Sequence, residues 1–119
     1  MKVYFTARHF KARPELQRYA EQAVTRLERL YNGIVDCNVV LEDEGAAHRK
    51  RSEIWITVYD QILKATSRAP DFELAIDEAV EKLRRQLVRY KERRRRRIGP
   101  DRRDLEAGLA DSEAGETLG

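Results

Sequence analysis

The chain has 119 residues, of which 41% are hydrophobic and 38% are charged, with a net charge of +3. This length and composition predict one small domain with highly charged helix faces, and no run approaches the roughly 20 apolar residues of a membrane helix. The first ten residues lack the apolar core of a secretory signal, and the single Cys37 excludes an internal disulfide and two-cysteine metal motifs. We therefore expect a cytoplasmic protein.

The first strand and the first helix are predicted before residue 34. The stretch KVYFTARH alternates between two faces, as a half-buried strand does. Its inward positions are predicted to be Val3, Phe5 and Ala7. Pro14 suits the first turn of a helix, and apolar residues then recur at three- and four-residue steps as far as Tyr31. Asn32-Gly33 is expected to end this helix through a left-handed glycine cap.

Three more strands are predicted between residues 34 and 67, in the stretches IVDCNVVLED, SEIWITVY and ILKATS. The polar stretch DEGAAHRKR predicts a hairpin loop between the first two, and Asp60-Gln61 a tight turn between the last two. The side chains predicted to face the core are Val35, Cys37, Val39, Leu41, Ile54, Ile56, Val58, Leu63 and Ala65.

A second helix should begin at Pro70-Asp71, where the Asp71 carboxylate can accept hydrogen bonds from free backbone N–H groups. Its predicted buried stripe ends near Arg94, and Gly99-Pro100 should break the helix. That stripe comprises Phe72, Ile76, Ala79, Val80, Leu83, Leu87 and Tyr90. The boundaries are thus predicted as an α+β domain over residues 1–98 and an acidic, disordered tail over residues 99–119.

The predicted order of elements is β-α-β-β-β-α. Each helix has one apolar face, so both should cover the same side of a four-stranded sheet. The expected fold class is α+β, a two-layer sandwich.

The most unusual feature is the stretch KLRRQLVRYKERRRRR, residues 82–97, which we call the basic segment. Ten of its sixteen residues are Lys or Arg. A helix packed through its apolar positions would present these cations at intervals of roughly one turn, about 5.4 Å. Arginine offers a forked donor for phosphate oxygens, and a polyanion would relieve the repulsion between like charges. The alternative is a solvated charged surface. The nucleic-acid interpretation is favoured.

Other candidate sites are less specific. The loop residues His48, Arg49, Lys50 and Arg51 form a second basic cluster that could touch RNA or simply mark a mobile hairpin tip. Tyr4, Trp55 and Tyr59 on the outer sheet face could stack bases, although a cross-strand cluster or a protein contact is favoured. No Ser/His/Asp pattern, glycine-rich phosphate loop or HExxH motif is present, so we predict no enzymatic activity, no metal and no cofactor.

The helix sequence from residue 64 to residue 93 resembles the ribosome hibernation promoting factors, or ribosome-associated inhibitors, also called the sigma-54 modulation protein family. The stretch LERLYNGIVDCNVVLE is also similar to that family. The residues that carry the resemblance are Asp71, Phe72, Ala75-Ile76-Asp77, Lys82-Leu83, Arg85-Gln86-Leu87 and Arg89-Tyr90-Lys91. It covers residues 1 to about 97 and implies a short form, a β-α-β-β-β-α fold similar to double-stranded RNA-binding domains, and no catalysis.

The resemblance also implies a function and partners. Such proteins bind the small ribosomal subunit in the mRNA and tRNA channel, where basic helices contact 16S ribosomal RNA and translation is blocked under stress or in stationary phase. The implied and predicted RNA-binding residues are Lys82, Arg84, Arg85, Arg89, Lys91, Arg93 and Arg96. No membrane or small-molecule partner is expected. Two alternatives are a general double-stranded RNA-binding module and a protein-interaction module that uses Trp55 and Tyr59.

Overall fold

The computed structural model describes residues 1–47 and 49–98, with side chains as far as Arg96. The predicted order of elements is confirmed. Its elements are β1 (Lys2–Arg8), α1 (Pro14–Leu30), β2 (Asp36–Asp43), β3 (Lys50–Thr57), β4 (Ile62–Ala69) and α2 (Phe72–Ile98). The predicted break at Gly99-Pro100 and the predicted tail lie outside the described residues.

The four strands form one mixed sheet in the order β1-β2-β3-β4. β1 pairs in parallel with β2, while β2, β3 and β4 form the predicted antiparallel meander. A parallel neighbour cannot be reached through a tight turn, so α1 makes the crossover between β1 and β2. The two helices cover one face of the sheet, which gives the predicted α+β sandwich.

Contacts divide the chain into two units, Met1–Leu87 and a second that begins at Val88, so the boundary falls within α2. In the first unit, the core contains the predicted inward positions of the central strands. Cys37, Val39, Ile54 and Ile56 are each 0% exposed. The period-two pattern of these strands was therefore a reliable guide to which face is buried.

Val35 was predicted to face the core, and this is wrong. It lies before the first residue of β2 and is 59% exposed. Its backbone N–H donates to the carbonyl oxygen of Thr57 at 2.8 Å. The strand therefore starts at Asp36, two residues later than the predicted start at Ile34, and Val35 lies exposed in the segment before it.

The end of α1 also differs from the prediction. The capping residue Tyr31 has an extended backbone with φ −154°, and Gly33 does not have a positive φ. A Cβ atom at Gly33 would lie 2.5 Å from the phenol ring of Tyr31. Glycine at this position leaves room for the end of the Tyr31 ring, which would have to shift for a larger residue, and does not provide a left-handed turn.

The start of α2 matches the prediction. The Asp71 carboxylate accepts a hydrogen bond from the backbone N–H of Leu74 at 2.8 Å, which satisfies one of the free donors of the first turn. We expect Asp71→Ala to lower the free energy of unfolding by about 1 kcal/mol. Asp71→Asn keeps the acceptor oxygen and should retain most of that stability. Urea unfolding followed by circular dichroism measures both, and equal losses would contradict the capping role.

The single thiol is inert in this fold. Cys37 is 0% exposed, and burial, with a smaller effect of Asp36, raises the pKa of its thiol to about 12. Because the thiolate is the reactive species, we expect Ellman's reagent to label Cys37 slowly in native buffer and rapidly in concentrated urea. Rapid labelling of the native protein would show that this part of the core opens readily.

Candidate nucleic-acid interface

The first unit contains three of the predicted RNA-binding residues, Lys82, Arg84 and Arg85. The chain here is helical because Leu, Arg, Lys and Gln all have high helix propensity. Leu83 and Leu87 are 0% exposed, and the three cations are exposed. Burial of the leucines therefore fixes the helix rotation that directs these cations to the surface.

Arg84 and Arg85 share one carboxylate, that of Glu81. Arg84 donates through Nε to Oε1 at 3.0 Å and through Nη2 to Oε2 at 2.7 Å, and Arg85 Nε lies 3.4 Å from Oε2. These contacts, the Arg84 hydrogen bond above all, lower the pKa of Glu81 to about 2. The spacings of three and four residues place the partners on one helix face. The sequence therefore contained this signal, but the prediction did not use it.

Lys82 has a structural contact besides its predicted role. Its Nζ donates to the backbone carbonyl oxygen of Thr66 at 2.7 Å, and Gln86 Nε2 donates to the carbonyl of Lys64 at 2.9 Å. Both carbonyls belong to β4, which is an edge strand of the sheet formed by the described residues. We call this pair the β4 edge cover. Lys82 thus adds positive charge to the basic segment and also donates a hydrogen bond to a backbone carbonyl of β4.

The second unit contains the other four predicted RNA-binding residues. Arg89, Arg93 and Arg96 are exposed, and Lys91 is half-buried. Tyr90 is 2% exposed and is the last buried side chain in the described part of α2, as the apolar spacing predicted. The helix continues to Ile98, so this part of the basic segment is helical rather than irregular.

The second basic cluster is largely neutralised. His48 lies outside the described residues, but its three neighbours each meet a carboxylate at 2.8 to 3.1 Å. The ion pairs are Arg49 with Glu44, Lys50 with Asp43, and Arg51 with Glu42. Phosphates would have to compete with these pairs, so the loop is a weaker candidate for RNA than the basic segment.

The outer sheet aromatics do not form a free stacking platform. Trp55 is half-buried, and Lys64 Nζ lies 5.7 Å from the centre of its ring. The same ammonium pairs with Glu53 at 3.1 Å. Tyr4 and Tyr59 are more accessible, at 51% and 78% exposed. Base stacking on Trp55 would require displacement of Lys64, which favours the structural interpretation of this face.

Within residues 1–47 and 49–98, no group of three or more His, Cys, Asp or Glu side chains could hold a metal ion. No helix in the same residues is long and apolar enough to cross a membrane.

Comparison with known proteins identifies the family of the chain. Residues 3–95 match the family described as sigma 54 modulation protein / S30EA ribosomal protein. The chain belongs to this family. The family match covers β1 from its second residue, the other three strands, α1 and most of α2. It includes six of the seven predicted RNA-binding residues, and Arg96 lies just beyond it.

Individual relatives agree with that membership. A ribosome hibernation promotion factor of Deinococcus radiodurans is 28% identical over 117 residues, which cover 95% of this chain and 61% of the relative. The N-terminal domain of Thermus thermophilus Protein Y has 26% identity and a TM-score of 0.68, covering 76% of this chain and 99% of that domain. A ribosomal subunit interface protein from Coxiella burnetii, at 18% identity, shares the fold with a TM-score of 0.71 over 77% of this chain and 99% of that protein.

Proposed function

We propose that this chain is a ribosome hibernation factor that works in the cytoplasm, where it binds the small ribosomal subunit in the mRNA and tRNA channel and inhibits translation during stress or stationary phase. The observation that carries the proposal is an ordered, basic α2 in a member of this family. A relative of the same family is named a ribosome hibernation promotion factor. The exposed arginines of α2 supply a chemical reason for RNA binding.

The proposed mechanism is electrostatic and steric. Arg84, Arg85 and Arg89 are the central phosphate contacts, with Lys82, Lys91, Arg93 and Arg96 adding charge. Phosphate contacts position a protein but carry no sequence information, so selectivity has to come from the shape of a folded RNA pocket. The two-layer body would then occupy the space in which mRNA and tRNA bind.

No covalent step is required by this mechanism. Three residues with nucleophilic or acid-base chemistry, Cys37, His9 and Asp77, lie in structural environments. Cys37 is fully buried, and His9 Nδ1 lies 3.1 Å from a carboxylate oxygen of Glu42. The Asp77 carboxylate accepts a hydrogen bond from the Tyr19 hydroxyl at 2.7 Å, and this bond links α2 to α1. These contacts favour a binding protein over an enzyme.

The decisive experiment is sedimentation of the protein with purified small and large ribosomal subunits, with duplex RNA as competitor. We expect co-migration with small subunits and resistance to a large excess of duplex RNA, together with inhibition of translation in a reconstituted system. Absence of co-migration would reject the proposal. Equal affinity for free duplex RNA and small subunits would instead indicate a general double-stranded RNA-binding module.

A further inference from the structure

Glu81 is placed to oppose the RNA-binding chemistry of its own helix. Its carboxylate lies among three predicted contacts, one position before Lys82 and bonded to both Arg84 and Arg85. Its side chain is 44% exposed, so it lies at the surface that RNA would approach. The hydrogen bond from Arg84 holds its pKa near 2, so the carboxylate is ionised throughout the neutral range.

The geometry limits what the two arginines can offer. Arg84 uses Nε and Nη2 on Glu81, the pair of donors that a guanidinium would use in a bidentate phosphate contact. Arg85 uses its Nε. An incoming phosphate must either displace the carboxylate or bind through the remaining Nη groups beside it, and in both cases the nearby negative charge repels the phosphate. Exposed ion pairs are weak enough for this exchange to occur.

We propose that Glu81 is an internal counterion that restrains Arg84 and Arg85 and thereby lowers the affinity of this surface for RNA. The inference rests on the proposed function, because it concerns the affinity of the same surface. A folded RNA pocket that also fits the protein body makes further contacts and can bind tightly despite the cost imposed by Glu81. An isolated duplex offers mainly phosphates and cannot do so.

The test compares Glu81→Gln with the unaltered protein on two probes, a mixed-sequence RNA duplex of about 20 base pairs and purified small subunits. Titrations between about 50 and 200 mM KCl should show duplex affinity raised about three- to tenfold at the low-salt end. The slope of log affinity against log salt should steepen by about one. Affinity for small subunits should rise by a similar factor, because the same two arginines are the proposed phosphate contacts there.

Two variants serve as controls. Glu73→Gln removes the same charge from the exposed first turn of α2 and should leave duplex affinity within about twofold. Glu81→Asp keeps the charge and should stay near the unaltered protein. If Glu81→Gln leaves duplex binding unchanged, or if Glu73→Gln raises it equally, the inference is overturned.

A measurement without RNA separates this inference from the proposed function. The Nε–H groups of Arg84 and Arg85 should exchange slowly with water in nuclear magnetic resonance spectra of the unaltered protein and rapidly in Glu81→Gln. Equal exchange in both proteins would overturn the restraint by Glu81. Failure of every variant to co-migrate with small subunits would reject the hibernation function, whatever the exchange rates show.

Discussion

Reversal of two charges in the basic segment, Arg85→Glu with Arg89→Glu, is expected to lower affinity for small subunits on the order of 100-fold or more at physiological salt. Under the proposed function, each reversal would remove a predicted phosphate contact and place a carboxylate against the RNA backbone. Both residues are exposed, so the fold should tolerate the change. Sedimentation of the variant with purified small subunits at several salt concentrations measures the loss and the smaller salt slope.

A matched reversal distinguishes a specific surface from overall charge. Lys11 and Arg13 are exposed in the link between β1 and α1. Their replacement by glutamate changes the net charge by the same amount but leaves α2 intact. This control should retain affinity within a few-fold, since distant charges are screened beyond roughly 8 to 10 Å. Equal losses in both variants would mean that net charge, not the basic segment, governs binding.

The second large effect is expected from Leu83→Ala. Leu83 is 0% exposed and lies between Lys82 and Arg84, so its packing holds this part of α2 in place. Removal of its side chain should lower the free energy of unfolding by about 2–5 kcal/mol, the range for leucines truncated in a core. Urea unfolding followed by circular dichroism measures this loss. The variant should bind small subunits weakly at temperatures where α2 has begun to unfold.

Leu74→Ala is the matched control for that experiment. It is the same substitution in the same helix, but Leu74 is 42% exposed. We expect a loss below about 1 kcal/mol, because little apolar area leaves a buried environment. Similar losses at the two positions would show that Leu83 is not an anchor of the core.

The sequence predicted those parts of the fold that depend on local periodicity. Alternation in β3 identified Ile54 and Ile56 as buried, and helical spacing identified Leu83 and Leu87. Prediction from the sequence failed at positions where contacts outside the local pattern determine the structure. Val35 has the residue type of a strand but precedes β2, and the Tyr31 ring occupies the space that a Cβ at Gly33 would fill.

Prediction of the candidate site was limited in the same way. The cations of α2 were visible as a run of charge, and the spacing from Glu81 to Arg84 and Arg85 was also visible. The bond from Lys82 to Thr66 joins residues 16 positions apart on different elements, so no local pattern reveals it. The acidic sequence of residues 99–119, which lie outside those described, suggests a further hypothesis, that this tail shields the basic segment until RNA displaces it. It predicts tighter nonspecific RNA binding after truncation behind Gly99.

The β4 edge cover has a consequence for self-association. A fibre in which the sheets of successive molecules pair edge to edge requires two free sheet edges on each molecule. The side chains of Lys82 and Gln86 donate hydrogen bonds to two backbone carbonyls along one of those edges. The β4 edge cover would thereby hinder fibrous aggregation through this edge of the sheet, an effect separate from the predicted contact of Lys82 with RNA.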